Sequence, residues 1–214
     1  MERFSLKKTI IIGSGGHAKV LIDALLQSGQ HIYALTDSNT QLKGEKVFGI
    51  PIIGNDKKIL SYDPTEILLI NGLGSTHSTA LRQKIYNYWT SQGYQFGTVI
   101  HPTAVISQLA SLEAGVQVLA NAVINAGATI AQNCIINTAA IVEHDCQIAK
   151  DVHIAPNATV LGGVKIGATS HIGAGAIILQ NIVVGERCLV GAGAVVVKSV
   201  ETEQRVLGIP AKVK

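Results

Sequence analysis

Aromatic residues are scarce in this chain of 214 residues: three Phe, five Tyr and one Trp, 4% in all, although 47% of the residues are hydrophobic. An irregular globular core draws more heavily on large rings. The apolar content here is Ile, Val, Leu and Ala, with 22 Gly among them. That composition points to thin, uniform, repeated layers. Charge is also scarce, at 14%, and a net charge of +3 is too small to argue for a nucleic-acid partner. Long apolar runs are missing. Stretches such as Ile10-Ile11-Ile12 are soon broken by Gly, Asn or charge, so no membrane span is expected. The N-terminal MERFSLKK lacks the apolar stretch of a signal peptide. A cytoplasmic protein is expected. Cys134, Cys146 and Cys188 are an odd number without metal-type spacing. They read as small buried thiols.

What is present is a period of six. Stepping from Ile106 through Leu112, Val118 and Ile124 to Val190 and Val196, all sixteen residues are aliphatic. Two places earlier in each hexad stand mainly small residues, such as Ala104, Ala122, Cys134, Ala140, Cys146 and Ala194. This is the signature of a parallel β-helix built from hexapeptides. Three short strands make one triangular coil of 18 residues, and the sixteen hexads give roughly five coils. The aliphatic residue points inward, and the small one is expected to let the chain turn the corner. Parallel strands stack about 4.8 Å apart, so residues 18 apart lie above one another.

The first half has a different pattern. Thr9–Ile12 reads as a strand, followed by the turn Gly13-Ser14-Gly15-Gly16-His17 and a helix over Lys19–Gln27 with Val20, Leu21, Ala24 and Leu25 on one face. His31–Leu35 is a second strand, ending at Thr36-Asp37. Ile50–Ile53 and Glu66–Ile70 are further strand candidates. Strand, glycine turn, helix and strand open a Rossmann-like nucleotide-binding α/β unit. The glycines let backbone amides approach a diphosphate at the helix N-terminus. Asp37 stands where such folds place an acid that contacts the nucleoside. The G-x-G-x-x-A spacing also fits a dinucleotide, but fewer than about 100 residues precede the repeat, half of a dinucleotide domain. His17 fits either a phosphate contact or a helix cap. A second glycine turn, Gly72-Leu73-Gly74, sits at the same sheet edge. Ser78–Gln92 reads as a helix with Leu81, Ile85, Tyr88 and Trp89 on one face. Trp89 is expected between the domains, and Arg82 either at a phosphate or in solvent. The chain divides into residues 1–97, a small α/β domain, and 98–214, the β-helix with a C-terminal cap.

Against the apolar prism the histidines stand out. His101, before Pro102, reads as structural. His153 and His171 stack in adjacent coils. His144 lies near a corner, flanked by Glu143 and Asp145. Imidazoles between chains can ligate zinc, but the glycine-rich half would then have no purpose, and no metal is expected. General base catalysis is the better use of His144: a carboxylate on one ring nitrogen fixes the tautomer and raises basicity. Asp145 or Glu143 can supply it.

The stretches IIGSGGHAKV, YALTDSN with VFGIPIIG, TVIHPTAVIS, INTAAIVEHDCQIAKDVHIAPNATVLGGVKIG and the terminal GIPAK resemble, in order, the bacterial sugar acetyltransferases of the sialic-acid O-acetyltransferase and bacillosamine N-acetyltransferase type. The resemblance implies a left-handed β-helix, whose crossovers depart from the usual hand, and a homotrimer with sites shared between chains. It implies acetyl-coenzyme A as donor and a nucleotide-linked amino sugar as acceptor, with O-acetylation of sialic acid and a non-catalytic nucleotide-sugar scaffold as the alternatives. His144 corresponds to the base and Asp145 to its partner. His153, Gly162, Gly173, Ala174 and Ala192 correspond to donor contacts, and the GIPAK tail to a cap beside the coenzyme. The acceptor's nucleotide is expected on Gly15, Gly16, His17, Asp37, Ser38, Gly72 and Gly74. The second glycine turn carries inserted residues relative to some members.

Overall fold

A computed structural model describes residues 7–76 and 78–214. The chain opens with a parallel sheet in which β1 (Lys8–Ile12) lies between β2 (Ile32–Thr36) and β5 (Ile67–Asn71). A short hairpin pairs β3 (Lys46–Val47) with β4 (Ile50–Pro51). α1 (Gly16–Gln27) follows the first glycine turn, and α2 (Ala80–Ser91) follows the second. β1 supplies Ile10, Ile11 and Ile12, all buried. Alternate residues serve opposite faces of the sheet. Ile11 packs with α1, while Ile10 and Ile12 pack with Ile59, Leu69 and Trp89.

From Val99 onward the chain is a left-handed β-helix. Seventeen two-residue strands, β6 (Val99–Ile100) to β22 (Val195–Val196), recur every six residues. That makes nearly six coils rather than five, because the regular winding begins one hexad before Ile106. Strands 18 residues apart pair in parallel, as with Ile135 on His153 and His153 on His171. Two further strands extend one face: β23 (Arg205–Leu207) pairs in parallel with β21 (Leu189–Val190), and β24 (Lys212–Val213) returns antiparallel to β23.

The corner mechanism differs from the sequence-based expectation. The small residues, including Ala122, Cys134, Ala140, Cys146 and Ala194, are fully buried and fill the prism beside the aliphatic stack. The residue just before each of them turns the corner. From Gly115 to Gly193, every sixth residue has a positive φ, among them Asn121, Asn133, Asp145, Asn157 and Asn181. Glycine, Asn and Asp accept this left-handed backbone most readily.

The first domain covers one solenoid face. The outward-pointing residues of that face, Gln117, Ile135, His153 and His171, are therefore buried, whereas Val105 and Val183 on the other faces are exposed. Val99, Leu119 and Ile135 share a core cluster with α1 residues Leu21, Ile22 and Leu25. α1 is thus sandwiched between sheet and solenoid and buries a wide stripe, while Val20 turns outward. α2 is rotated from the expected face. Arg82, Tyr86 and Trp89 are buried, and Leu81 and Tyr88 are exposed. Trp89 packs inside the first domain, edge-on to Tyr94 at 5.2 Å, and not between the domains.

Candidate functional site

Two cavities lie at either end of the segment Gly72–Thr76. The first, about 370 Å³, is formed by the two glycine turns and the start of α1. It collects Gly15, Gly16, His17, Asp37, Ser38, Gly72 and Gly74, all the residues expected to hold a nucleotide. Asp56, Leu81 and Ile85 also line it and were not foreseen. Leu81 is exposed toward this space, while Ile85 is half-buried and borders both the cavity and the core around Trp89, which fits the rotated α2. α1 begins at Gly16 with no side-chain cap at Gly15, so its first N–H groups face the cavity. Asp37 does more local work than expected. Its carboxylate accepts hydrogen bonds from the Ser14 backbone N–H, the Ser14 hydroxyl and Asn39 N–H. Burial acts to raise its pKa, but these bonds outweigh burial and hold it below the usual carboxylate value. Asp37 thus braces the first glycine turn.

Arg82 is neither at a phosphate nor in solvent. It is 1% exposed. Its Nη1 donates to the carbonyls of Asn71 and Leu73 at 2.8 Å, and its Nε to that of Asn133 on the solenoid. Asn71 Nδ2 also donates to Asn133 Oδ1. Asn133 and Gln83 in turn donate to the buried Asp151. This polar junction fixes the second glycine turn against the solenoid. Burial lowers the Arg82 pKa to about 9. A sequence offers no sign that a helix arginine will be enclosed by a second domain.

The second cavity, about 720 Å³, runs along the covered face. Four of the residues expected to contact the donor, His153, Gly173, Ala174 and Ala192, line it, together with Ser75, Asn137, His171, Arg205 and Lys214. Gly162 does not line it. Of the tail, Leu207 and Lys214 reach the cavity, while Gly208–Lys212 packs at the solenoid end through Ala211. The ring of His153 is fixed at both nitrogens. Asn137 Oδ1 accepts from Thr138 N–H at 2.8 Å, so its amide nitrogen faces His153 Nε2 at 2.9 Å. Nε2 therefore accepts, and Nδ1 carries the proton toward Ser75 Oγ at 2.7 Å. Ser75 Oγ lies 3.2 Å from His171 Nδ1.

His144 lies on the surface, 64% exposed, and lines neither cavity. Its Nδ1 is 2.9 Å from Asp145 Oδ2. Glu143 is held elsewhere, accepting from Asn125 Nδ2 at 2.8 Å. Asp145, not Glu143, therefore orients the ring. Glycines make room for both partners from the neighbouring coils. A Cβ on Gly162, 18 residues after His144, would lie 2.5 Å from His144 Nε2; one on Gly127, 18 before Asp145, would lie 2.5 Å from Asp145 Oδ1. His101 is structural, its Nδ1 accepting from Thr103 N–H at 3.1 Å. Among the described residues, no three His, Cys, Asp or Glu side chains gather as a metal site, and no helix is long and apolar enough to cross a membrane.

Two imidazoles, the half-buried His17 and the buried His153, are held neutral. Burial first, then Arg82, lowers the His17 pKa to about 4. Burial first, then His171, His17 and Arg82, takes His153 well below its ordinary value. In the unfolded chain both titrate near 6.5. Between that value and about 4, the unfolded chain binds protons that the folded chain refuses, so stability falls with falling pH. The melting temperature is expected to drop on acidification through this window, and His17→Asn to make the drop shallower. An unchanged slope in the variant would contradict the assignment.

Residues 8–89 match the PglD N-terminal domain, and residues 163–198 the bacterial transferase hexapeptide of six repeats. The chain is similar to PerB from Caulobacter crescentus, solved in complex with CoA and GDP-perosamine: 34% identity over 98% of each chain, TM-score 0.90. It is equally similar to the acetyltransferase domain of PglB from Neisseria gonorrhoeae FA1090, solved with acetyl coenzyme A: 33% identity, 97% of this chain and 99% of that one, TM-score 0.89. WeeI from Acinetobacter baumannii AYE shares the fold at 23% identity over 98% of this chain and 100% of that one, TM-score 0.78. No curated protein sequence matches the chain.

Proposed function

The chain belongs to the hexapeptide-repeat sugar N-acetyltransferases of the PerB and PglB type, which use acetyl-coenzyme A, and we propose that it acetylates the amine of a nucleotide-linked 4-amino-4,6-dideoxy sugar with His144 as general base. The observation that carries the base assignment is the His144–Asp145 pair. With Nδ1 donating to the carboxylate at 2.9 Å, Nε2 keeps a lone pair on the open side above Gly162. The amine nitrogen attacks the thioester carbonyl carbon, Nε2 takes the amine proton, the carbon–sulfur bond breaks, and the proton passes to the departing sulfur. Direct transfer is favoured by the state of the thiols. Burial raises Cys134 to about 12 and also raises Cys146, so neither supplies a thiolate.

The first cavity suits the nucleotide, with helix-start amides for a diphosphate. The second suits the coenzyme. Arg205 and Lys214 bring positive charge for its phosphates, and Ala155, Pro156 and Leu207 an apolar wall for its arm. His144 lies outside both, which supports a homotrimer whose neighbouring chains complete the site. Exposed Val105 and Ile177 on one face and Val183 on another are apolar surface for such neighbours. A cytoplasmic location agrees with the use of a cytoplasmic acetyl donor.

A thiol-release assay across UDP-, GDP- and dTDP-linked amino sugars and free sialic acid tests the reading, alongside light scattering for the trimer. Turnover is expected with a nucleotide-linked amino sugar. Turnover with free sialic acid alone would replace N- by O-acetylation. No thiol release with any acceptor would leave a binding scaffold.

A further inference from the structure

His17 stands where the first domain meets the solenoid. It is the second residue of α1 and lines the first cavity. Its Nε2 lies 2.8 Å from Oε1 of Gln117, a buried residue on the covered face. The orientation of that amide is settled one bond further on. Gln117 Nε2 is 2.8 Å from the backbone carbonyl of Asn71, and a carbonyl only accepts. Gln117 therefore turns its NH₂ to Asn71 and its oxygen to His17. An oxygen facing Nε2 requires the imidazole proton on Nε2. The neutral ring then carries a lone pair, and no hydrogen, on Nδ1. Among the described residues Nδ1 has no hydrogen-bond partner. It lies beside Gly74 at the cavity wall, where a Cβ on that glycine would be 3.7 Å away.

An ionised phosphate oxygen also brings lone pairs, so Nδ1 in this state does not hold a diphosphate. The group that satisfies it is a hydrogen-bond donor. Sheet order places that donor along the ligand. β1 is central, with its glycine turn suited to the diphosphate; β2 lies on one side and β5 on the other. Asp37 and Ser38 follow β2, where such folds place the nucleoside. His17 leans the other way, to Gly74 after β5 and to Gln117 on the solenoid. That is the side of the second cavity, which Ser75 and Thr76 enter.

We propose that Nδ1 of His17 accepts a hydrogen bond from a hydroxyl or amine of the acceptor's sugar, and that Gln117 is the positioning residue that fixes this tautomer. This rests on the reading of the first cavity as a nucleotide-sugar site. His17 is then a sugar-recognition residue and not a phosphate ligand, and the solenoid takes part in acceptor recognition through Gln117.

Calorimetry with three probes on one nucleotide tests it: the free nucleoside diphosphate, the same nucleotide bearing a neutral hexose, and the same nucleotide bearing an amino-hexose. His17→Leu is expected to weaken the sugar-bearing probes roughly ten-fold and leave the free diphosphate unchanged. His17→Asn keeps an acceptor oxygen near the Nδ1 position and is expected to restore most of the loss. Gln117→Leu, checked for folding by its melting curve, is expected to repeat the sugar-specific loss. Weakening of both sugar probes identifies a hydroxyl donor; weakening of the amino-hexose alone identifies the amine. Equal weakening of the free diphosphate overturns the proposal in favour of a phosphate contact, and no weakening of any probe overturns it outright. If no UDP-, GDP- or dTDP-based probe binds the unaltered protein, the nucleotide-sugar reading itself fails.

Discussion

His144→Ala is expected to lower kcat by about a hundred- to ten-thousand-fold, the usual contribution of a general base. The KM values for both substrates should change little, because the ring lines neither binding cavity. The fold should be indifferent. His144 is 64% exposed and contributes nothing to the inward stack. Asp145→Asn is the matching control. Asparagine already occupies the equivalent corner at Asn121, Asn133, Asn157 and Asn181, with the same positive φ. The substitution therefore keeps the backbone and removes only the carboxylate, so any loss of rate reports on the hydrogen bond to Nδ1. Steady-state kinetics with melting curves decide the matter. Full turnover by His144→Ala would remove the base assignment.

Gly162→Ala is expected to be nearly as damaging while adding only one methyl group. Its φ lies outside the left-handed region, so alanine meets no backbone strain there. The new Cβ would instead lie 2.5 Å from Nε2 and 2.6 Å from Cε1 of His144. Real contacts are never that short, and the exposed ring must swing away. The melting temperature should hold, and kcat should fall toward that of His144→Ala. The two changes should not add. With the ring already absent, the alanine has nothing to displace, and the double variant should match His144→Ala alone. If Gly162→Ala costs as much without the imidazole as with it, the glycine acts through the donor substrate instead.

Much of this was legible in the residues because the solenoid repeats one decision many times. An aliphatic residue every six positions has no other economical explanation, and the pairing of His153 with His171 follows from their separation of 18. His144 and Asp145 were visible as titratable groups on an apolar background. The residues that line the first cavity were visible because glycine turns after strands announce themselves. The parts that escaped are those a second domain decides. Arg82 and Trp89 were misplaced because α2 has partners on two sides, and local periodicity cannot say which apolar stripe faces which. The enclosure of Arg82 by Asn71, Leu73 and Asn133 brings together residues up to 62 positions apart. Asp56, Arg205 and Lys214 reach their cavities from segments with no motif. The corner rule was also misread. The eye goes to the small buried residue, but the turn belongs to its predecessor, whose identity varies.

That variation has a consequence for how such a protein acquires chemistry. Gly, Asn, Asp, Ala, Thr and Arg all stand at corners with the same left-handed backbone in this one chain. The inward stack carries the winding; at an exposed corner such as Asp145 the identity of the residue carries little of it. A carboxylate can be installed at one vertex, or exchanged for an amide, without rewriting a single layer of the interior. Asp145 is one such interchangeable part, distinguished from Asn121 or Asn157 only by its neighbours: a histidine before it and a glycine in the coil below. Changes at the vertices can thus alter what the protein does while the winding that holds them in place stays the same.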